Sequence, residues 1–209
     1  MKKIAFVAAL LAASLVASCQ QPAQESTPSA LDVIMSRTSI RSFTGEAVSQ
    51  EQLETILKAG MAAPTAMNSQ PWRFVVVTDK ETIANVFASG FRGEMFTQAG
   101  AVIVVCGQST VMRKPFGQPD APEQEQPNMF WYEDCSAAAE NILLAAHALG
   151  LGAVWTAGYP AMERVAPIAE ALGIPENVIP LCVIPVGVPA ENPEPKDKWI
   201  PENIHWNKW

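Results

Sequence analysis

The chain is organised around the stretch Ala63-Pro64-Thr65-Ala66-Met67-Asn68-Ser69-Gln70-Pro71-Trp72, which leads into the apolar run 74–77. Its two prolines fix φ at about −65° and remove backbone donors, so no helix passes through and the loop is stiff. Asn68 and Gln70 lie between the prolines, and side-chain amides both donate and accept hydrogen bonds. They suit a flat heterocycle with alternating carbonyl and N–H edges. The alternative interpretation is a helix-to-strand turn with polar side chains facing water.

Length and composition indicate one domain of ordinary size. The chain has 209 residues, of which 49% are apolar, so it can bury a sizeable core. Its net charge of −7 argues against a general nucleic-acid-binding protein. Any cluster of cations in such a chain is local, and its position is informative.

The N-terminus has the pattern of a bacterial lipoprotein signal. Lys2 and Lys3 precede the apolar run 4–15, which is too short to span a bilayer comfortably. The small residues 16–18 followed by Cys19 resemble a lipobox, which predicts a signal peptide over 1–18, lipidation of Cys19 and a flexible tether over 19–30. Several acyl chains would anchor the domain 31–209 firmly to a membrane. The alternative is an ordinary secretory signal with a chance cysteine.

The remaining cysteines and histidines indicate neither a disulfide framework nor a metal site. Cys106, Cys135 and Cys182 are an odd number at wide spacing, and Cys106 and Cys182 are most simply buried small hydrophobic residues. One disulfide among them stays open. His147 and His205 have no ligand at metal-binding spacing, and the usual motifs of phosphate loops, Rossmann domains and serine hydrolases are absent from the sequence.

Hydrophobic periodicity and capping residues predict alternating helices and strands. Helices are predicted over 30–36, 49–61, 79–87 and 128–150, with short helical pieces broken at Pro167 over 161–172. Buried strands are predicted over 74–78, 101–106 and 178–187, and a strand-like run over 153–156. Pro180 and Pro185 indicate that the strand 178–187 is an edge strand or contains a bulge. The proline-rich segment 107–127 is either a flap over a site or a surface insertion without a role.

Two further stretches suggest ligand contacts. The segment Arg37-Thr38-Ser39-Ile40-Arg41-Ser42-Phe43 combines guanidinium groups and hydroxyls, as a phosphate monoester requires, although a solvated basic turn also fits. Gly158 follows the run 153–157 and would let the backbone approach a ligand, or it forms a routine turn. The tail carries Trp199, Trp206 and Trp209, a large apolar surface that a partner subunit would bury.

Taken together, these stretches resemble the FMN-dependent nitroreductase family over residues 31–209. Four motifs match in order: 37–43, 64–72, 150–155 with Gly158, and 187–191 followed by Lys196 and Lys198. The resemblance implies an α+β, three-layer fold with a mostly antiparallel central sheet flanked by helices. It also implies an intertwined homodimer with FMN at the subunit interface and the C-terminal extension crossing to the partner.

The resemblance also implies which residues hold FMN. Arginines and lysines with Ser39 would bind its phosphate, the two amides of the 64–72 motif would lie at the ring or ribityl chain, and Ala157 and Gly158 would offer backbone N–H groups near flavin N5 and O4. Lys198 stands where the family often has arginine, and Ala157 where some members have glutamate. The implied cofactor-binding residues are Arg37, Thr38, Ser39, Arg41, Pro64, Asn68, Gln70, Trp155, Thr156, Ala157, Gly158, Lys196 and Lys198.

The implied activity is that of an FMN-dependent oxidoreductase. NADH, NADPH or another donor would reduce small aromatic, electron-poor acceptors such as nitroaromatics or quinones by ping-pong hydride transfer, with no catalytic side chain and no metal. Two alternatives stay open: a specialised flavin enzyme of dehalogenase type, with a pocket formed by 107–132, and a non-catalytic flavin- or ligand-binding lipoprotein. Because nicotinamide cofactors are cytosolic, the lipobox leaves the physiological electron donor open.

Overall fold

A computed structural model describes residues 28–89 and 92–209. The helices are α1 (Ala30–Ser36), α2 (Gln50–Met61), α3 (Lys80–Phe87), α4 (Gly93–Gln98), α5 (Trp131–Ala148) and α6 (Met162–Ala171). The strands are β1 (Trp72–Val77), β2 (Ala101–Gln108), β3 (Thr110–Arg113), β4 (Gln124–Pro127), β5 (Gly152–Ala153), β6 (Thr156–Ala157) and β7 (Val178–Gly187). Single 3₁₀ turns occupy Ala66–Asn68 and Pro201–Asn203.

The predicted signal peptide, Cys19 and most of the predicted tether lie outside the described residues. Within 28–89 and 92–209, no helix is long and apolar enough to cross a bilayer.

Five strands form an antiparallel sheet at the centre of the fold. The order is β1, β2, β7 and β5, and β6 also pairs with β7. The two long inner strands were predicted from their continuous apolar runs, which is the pattern of strands buried on both faces. The prediction of an α+β fold with a mostly antiparallel sheet is confirmed.

Helices cover both faces of the sheet and complete three layers. On one face α2 and α5 pack their buried residues, such as Ile56 and Ile142, against Ile103 and Ile184 of the sheet. On the other face α3 and α4 contribute a second core that contains the stacked rings of Phe87 and Phe96. The side chains of β2 alternate between these two cores, so this strand joins them.

Helix starts were predicted well because their capping boxes are local. Ser29 and Asp32 cap α1, and Ser49 and Gln52 cap α2, each with both reciprocal hydrogen bonds. Asp79 caps α3 by accepting from the backbone N–H of Thr82 at 2.7 Å.

The prolines of β7 and α6 behave differently from two of the predictions. β7 is an internal strand, so the edge alternative is wrong, and the bulge alternative is confirmed because the register with β2 slips at Val105/Cys106, where Leu181 is the extra residue. α6 continues through Pro167, so the predicted break is wrong. Val165 anchors α6 by its burial, whereas Pro167 and Glu163, whose carbonyl Pro167 leaves without a helical donor, are exposed and can be solvated.

The segment 107–127 is more regular than the sequence indicates. β2 extends to Gln108, and β3 pairs with β4 in an antiparallel hairpin. Arg113 donates to the backbone carbonyl of Pro127 at 3.2 Å across this hairpin. Whether it acts as a flap stays a prediction.

Cys106, Cys135 and Cys182 are free and buried, which confirms the interpretation of Cys106 and Cys182 as small core residues. Burial raises the pKa of Cys106 and of Cys135 to about 12, so both thiols are protonated and unreactive at neutral pH. In the described part of the chain, no group of His, Cys, Asp and Glu side chains could hold a metal ion.

The tail after β7 lies largely exposed. Trp199, Trp206 and Trp209 have 70%, 81% and 98% of their surface exposed. Apolar surface of this size at a chain end is typical of a segment that packs on another subunit.

Candidate functional site

Three of the four sequence motifs meet at one edge of the sheet. The segment 37–44 is joined to the segment after β7 by hydrogen bonds from Thr44 N–H to the Val188 carbonyl, at 3.0 Å, and from Ala190 N–H to the Ser42 carbonyl, at 2.9 Å. Ile40 N–H donates to the Ala153 carbonyl at 3.1 Å, which joins the same segment to β5. Distant parts of the sequence therefore form one backbone platform.

Gly152 is required where this platform is tightest. A Cβ built on Gly152 would lie 2.6 Å from Cγ2 of Ile40, a contact that real side chains do not make. The glycine of the third motif therefore lets β5 approach the first motif, and its role is packing.

Glu191 fixes the loop that carries Arg41. Its carboxylate accepts hydrogen bonds from the backbone N–H groups of Arg41 and of Ser42, the latter at 3.1 Å. The Arg41 guanidinium donates to the Ser39 carbonyl at 3.3 Å and is otherwise exposed. The loop is thus held by its backbone, while the guanidinium of Arg41 stays exposed.

A cavity of about 730 Å³ opens beside Arg41. It is bordered by the ends of α3 and α4, by β6 and by α6, and both polar and apolar residues line it. Five predicted cofactor-binding residues line it together: Arg41, Trp155, Thr156, Ala157 and Gly158. This volume is within the range of small-molecule sites.

The backbone at Gly158 serves the fold before it serves a ligand. The N–H groups of Gly158 and Tyr159 both donate to the carbonyl of the bulged Leu181, at 3.1 and 3.0 Å. A Cβ on Gly158 would lie 3.1 Å from that oxygen, which accounts for the glycine. The expectation that the Gly158 N–H faces the ligand is therefore wrong.

The second motif, the 63–72 loop, lies away from the large cavity. Gln70 lines a separate cavity of about 330 Å³ with Arg73, Met61 and other residues, and none of the described residues of the 63–72 loop lines the larger cavity. The Gln70 amide donates to Oδ1 of Asn68 at 2.9 Å, so the two predicted amides act as a pair. Pro64 is exposed in the same loop.

The other predicted phosphate residues are dispersed. The Arg37 Nε atom lies 3.3 Å from a carboxylate oxygen of Glu140 on α5, and its neighbour Thr38 is half-buried. Lys196 and Lys198 lie in the exposed tail and line neither of these two cavities. Within one chain, the structure therefore brings Arg41 close to the segment 155–158. The two lysines and the Asn68–Gln70 amide pair lie away from the large cavity.

The structure adds charged residues that the sequence analysis missed. Arg92, Glu163 and Arg164 line the large cavity, and Arg92 also lines a neighbouring cavity of about 310 Å³ that it shares with Arg41. Arg92 has a left-handed backbone at φ 62°, uncommon for a residue with a side chain. The sequence signal near this position is Gly93. A Cβ on Gly93 would clash with the backbone of Ala88, so a glycine there indicates a tight turn at Arg92.

Comparison with known proteins agrees with this architecture. The model of the nitroreductase family matches residues 34–89 and 82–188. A protein of Methanothermobacter thermautotrophicus, provisionally named an NADH dehydrogenase/NAD(P)H nitroreductase, is 42% identical over 179 residues, covering 86% of this chain and 87% of its own.

Solved structures give the same result. A structure from Bacteroides thetaiotaomicron, with the same provisional name, is 42% identical with a TM-score of 0.75 and covers 86% of this chain and 98% of its own. A provisionally named nitroreductase of Desulfovibrio desulfuricans in complex with FMN is 31% identical with a TM-score of 0.69, covering 86% of this chain and 97% of its own. The chain described here belongs to the nitroreductase family.

Proposed function

We propose that the protein is an FMN-dependent oxidoreductase that oxidises NADH or NADPH and reduces small electron-poor acceptors, such as nitroaromatics or quinones. The observation that carries the proposal is the 730 Å³ cavity bordered by Arg41 and the 155–158 strand, in a family with a member solved in complex with FMN. When bound, FMN supplies reversible two-electron chemistry. The protein contributes binding, orientation and electrostatics.

The residues of the cavity fit FMN. A phosphate monoester dianion is matched by the exposed guanidinium of Arg41, with Arg92 on the same cavity wall. The planar ring requires apolar contact together with polar groups at its edge, and the cavity supplies Trp155 and Ile168 beside the backbone of β6. Three arginines and one glutamate on the cavity wall favour an anionic cofactor and the added negative charge of its reduced form.

The amide pair reaches this cavity in a homodimer, as we propose. Nε2 of the Gln70 side chain donates to Oδ1 of Asn68, so Nδ2 of Asn68 and Oε1 of Gln70 remain as a neighbouring donor and acceptor. Such a pair complements a pyrimidine-type edge, in which C=O and N–H groups alternate. The 63–72 loop of a second copy would supply it, while exposed apolar residues of α1 (Leu31, Ile34 and Met35) and the tail tryptophans supply surface for the interface.

Deletion of residues 199–209 tests the dimer. We expect the full chain to elute as a dimer in light-scattering chromatography and the shortened chain to shift to a monomer, because the deletion removes three exposed tryptophans. A shortened chain that stays dimeric would exclude the tail as a major part of the interface.

The N-terminal signal leads to a separate proposal about location. We propose that the mature protein is anchored to a membrane by lipid on Cys19, which follows the lipobox-like residues 16–18. The wild-type chain should sediment with membranes, and a Cys19→Ala variant should not. A membrane or soluble partner would then be the electron donor in the cell, and NADH or NADPH the donor for the purified protein.

The cofactor and the donor are tested on the purified full-length protein. Purified protein should be yellow, with oxidised flavin absorbance that NADH or NADPH bleaches without oxygen and that a nitro compound or quinone restores. Protein that purifies colourless and takes up no added FMN would contradict the proposal. Bleaching without reoxidation by either acceptor class would retain the flavoprotein and reject these acceptors.

A further inference from the structure

Asp134 is a buried carboxylate that joins α5 to the loop 65–70, the amide loop, which carries Asn68 and Gln70. Only 6% of its surface is exposed. Its Oδ1 accepts the backbone N–H of Ala66 at 3.0 Å, and its Oδ2 accepts the Ser69 hydroxyl at 3.1 Å. The two contacts lie on either side of Asn68.

The conformation of this loop is one that needs external support. Met67, Asn68 and Gln70 have positive φ values of 53°, 53° and 46°, although none of them is glycine. Left-handed backbone at such residues is disfavoured, and several such residues persist together only where the surroundings enforce them. Inside the loop, Gln70 N–H donates to the Thr65 hydroxyl at 3.3 Å and Ser69 N–H donates to the Ala66 carbonyl at 3.0 Å.

Burial of a carboxylate at this position is costly for the fold alone. A charged group removed from water must be compensated by hydrogen bonds, and apolar residues of similar size often serve stability as well or better. Asp134 has two such bonds, and it lies in the first turn of α5, where the helix dipole favours negative charge. What the carboxylate supplies, and an apolar residue could not, is two directed bonds to the loop.

We propose that Asp134 is a positioning residue, which holds the 65–70 loop so that Asn68 and Gln70 present their amide edge to the cofactor. The inference rests on the proposed function, because it assumes that these amides contact FMN. Asp134 contacts neither amide and acts through the backbone of Ala66 and the hydroxyl of Ser69.

The test is a double-mutant cycle between Asp134→Ala and Asn68→Ala in the full-length protein, measured as the dissociation constant of FMN. We expect Asp134→Ala to weaken FMN binding by about tenfold, the effect of one lost hydrogen bond between a displaced loop amide and the cofactor. In the Asn68→Ala background the same change should cost less than about twofold, because the Asn68 amide is gone and the Gln70 amide has lost the partner that orients it. Asp134→Asn, which keeps one acceptor oxygen, should recover part of the loss.

Two further variants keep the test informative if Asp134→Ala folds poorly. Ser69→Ala removes one of the two contacts and should give a smaller loss of FMN affinity in the same direction. Asn141→Ala is the matched control, since Asn141 on the same helix donates to the carbonyl of Ala59, which lies outside the loop, at 3.0 Å. It should lower the melting temperature without changing the affinity for FMN.

Equal losses in the two backgrounds would overturn the positioning role, as would unchanged affinity in Asp134→Ala. In both of these outcomes the wild-type protein still binds FMN and is bleached by the donor, so the proposed function stands. A wild-type protein that does not bind FMN would overturn both proposals together. The cycle therefore separates failure of the inference from failure of the function.

Discussion

The Arg41 platform and the amide loop represent two ways of building a part of the proposed site. The platform is assembled by the sheet: backbone hydrogen bonds join segment 37–44 to β5 and to the residues after β7. The amide loop pairs with no strand and depends on side chains, above all on Asp134. The platform should therefore fail only with the sheet, whereas the loop can be disturbed by single substitutions that leave the fold intact.

α5 connects the two regions. Near its start, Asp134 holds the amide loop; further along, Glu140 contacts Arg37 at the start of the platform, and His147 contacts Ser36 at the end of α1. Both regions therefore contact the same helix, α5, which is 18 residues long. In the proposed dimer, the geometry of the composite site would depend on α5 of both subunits.

The largest expected effect is at the platform. Arg41→Ala should abolish retention of FMN during purification, with a loss of affinity of roughly hundredfold, because a guanidinium makes more than one charge-assisted hydrogen bond to phosphate. The measurement is flavin absorbance per protein after gel filtration. Lys58→Ala is the control, since its contact with Glu54 is an exposed helix pair of little energetic value. An Arg41→Ala protein that purifies fully yellow would remove Arg41 from the site.

A smaller effect is expected from crowding the platform. Gly152→Ala places a Cβ against Ile40, so we expect a loss of about 1–3 kcal/mol in the free energy of unfolding. Chemical denaturation measures it. Ile40→Ala removes Cγ1 and Cγ2 but keeps the Cβ that would lie 2.7 Å away, so the double variant should recover part of the loss and be more stable than the sum of the two single losses predicts. Additive losses would show that Gly152 is not needed for this contact.

This comparison also explains what the sequence could predict. Capping boxes and the apolar runs of β2 and β7 are local signals, and the elements were predicted close to their observed bounds. The three segments of the platform were singled out because each carries its own motif, but the backbone hydrogen bonds that join them were not predicted. Arg92 and Arg164 were missed because only the packing of α4 and α6 against the sheet brings them to Arg41.

The conformation of the amide loop could not be predicted for a related reason. Its prolines correctly indicated a stiff turn, yet the left-handed backbone of Asn68 depends on a carboxylate about seventy residues further along the chain, since Ala66 and Asp134 are 68 positions apart. Similarly, the prolines of β7 left two alternatives that only strand pairing could separate. Residues whose role depends on distant contacts carry no local signal.

The smallest expected effect concerns the contact between α5 and α1. Nε2 of His147 lies 2.8 Å from Oγ of Ser36, and burial together with the nearby Arg37 guanidinium lowers the pKa of His147 below its usual 6.5. In the unfolded chain the imidazole takes up its proton first, so stability falls as the pH drops below about 6.5 and is regained above it.

Because His147 is only partly buried, we expect a decrease of about one or two degrees in Tm between about pH 7.5 and about pH 5.5. His147→Gln should lose this dependence, because the carboxyls of Asp32 and Asp79, whose pKa values lie below their usual 3.8, titrate under this range. The affinity for FMN should follow the same trend weakly, because α1 precedes the platform that carries Arg41. The amide loop should not contribute to this trend, because Asp134 holds it at the other end of α5. If the His147→Gln variant shows an equal pH dependence, other groups cause the effect. The contact between α5 and α1 then does not contribute to the pH dependence of stability.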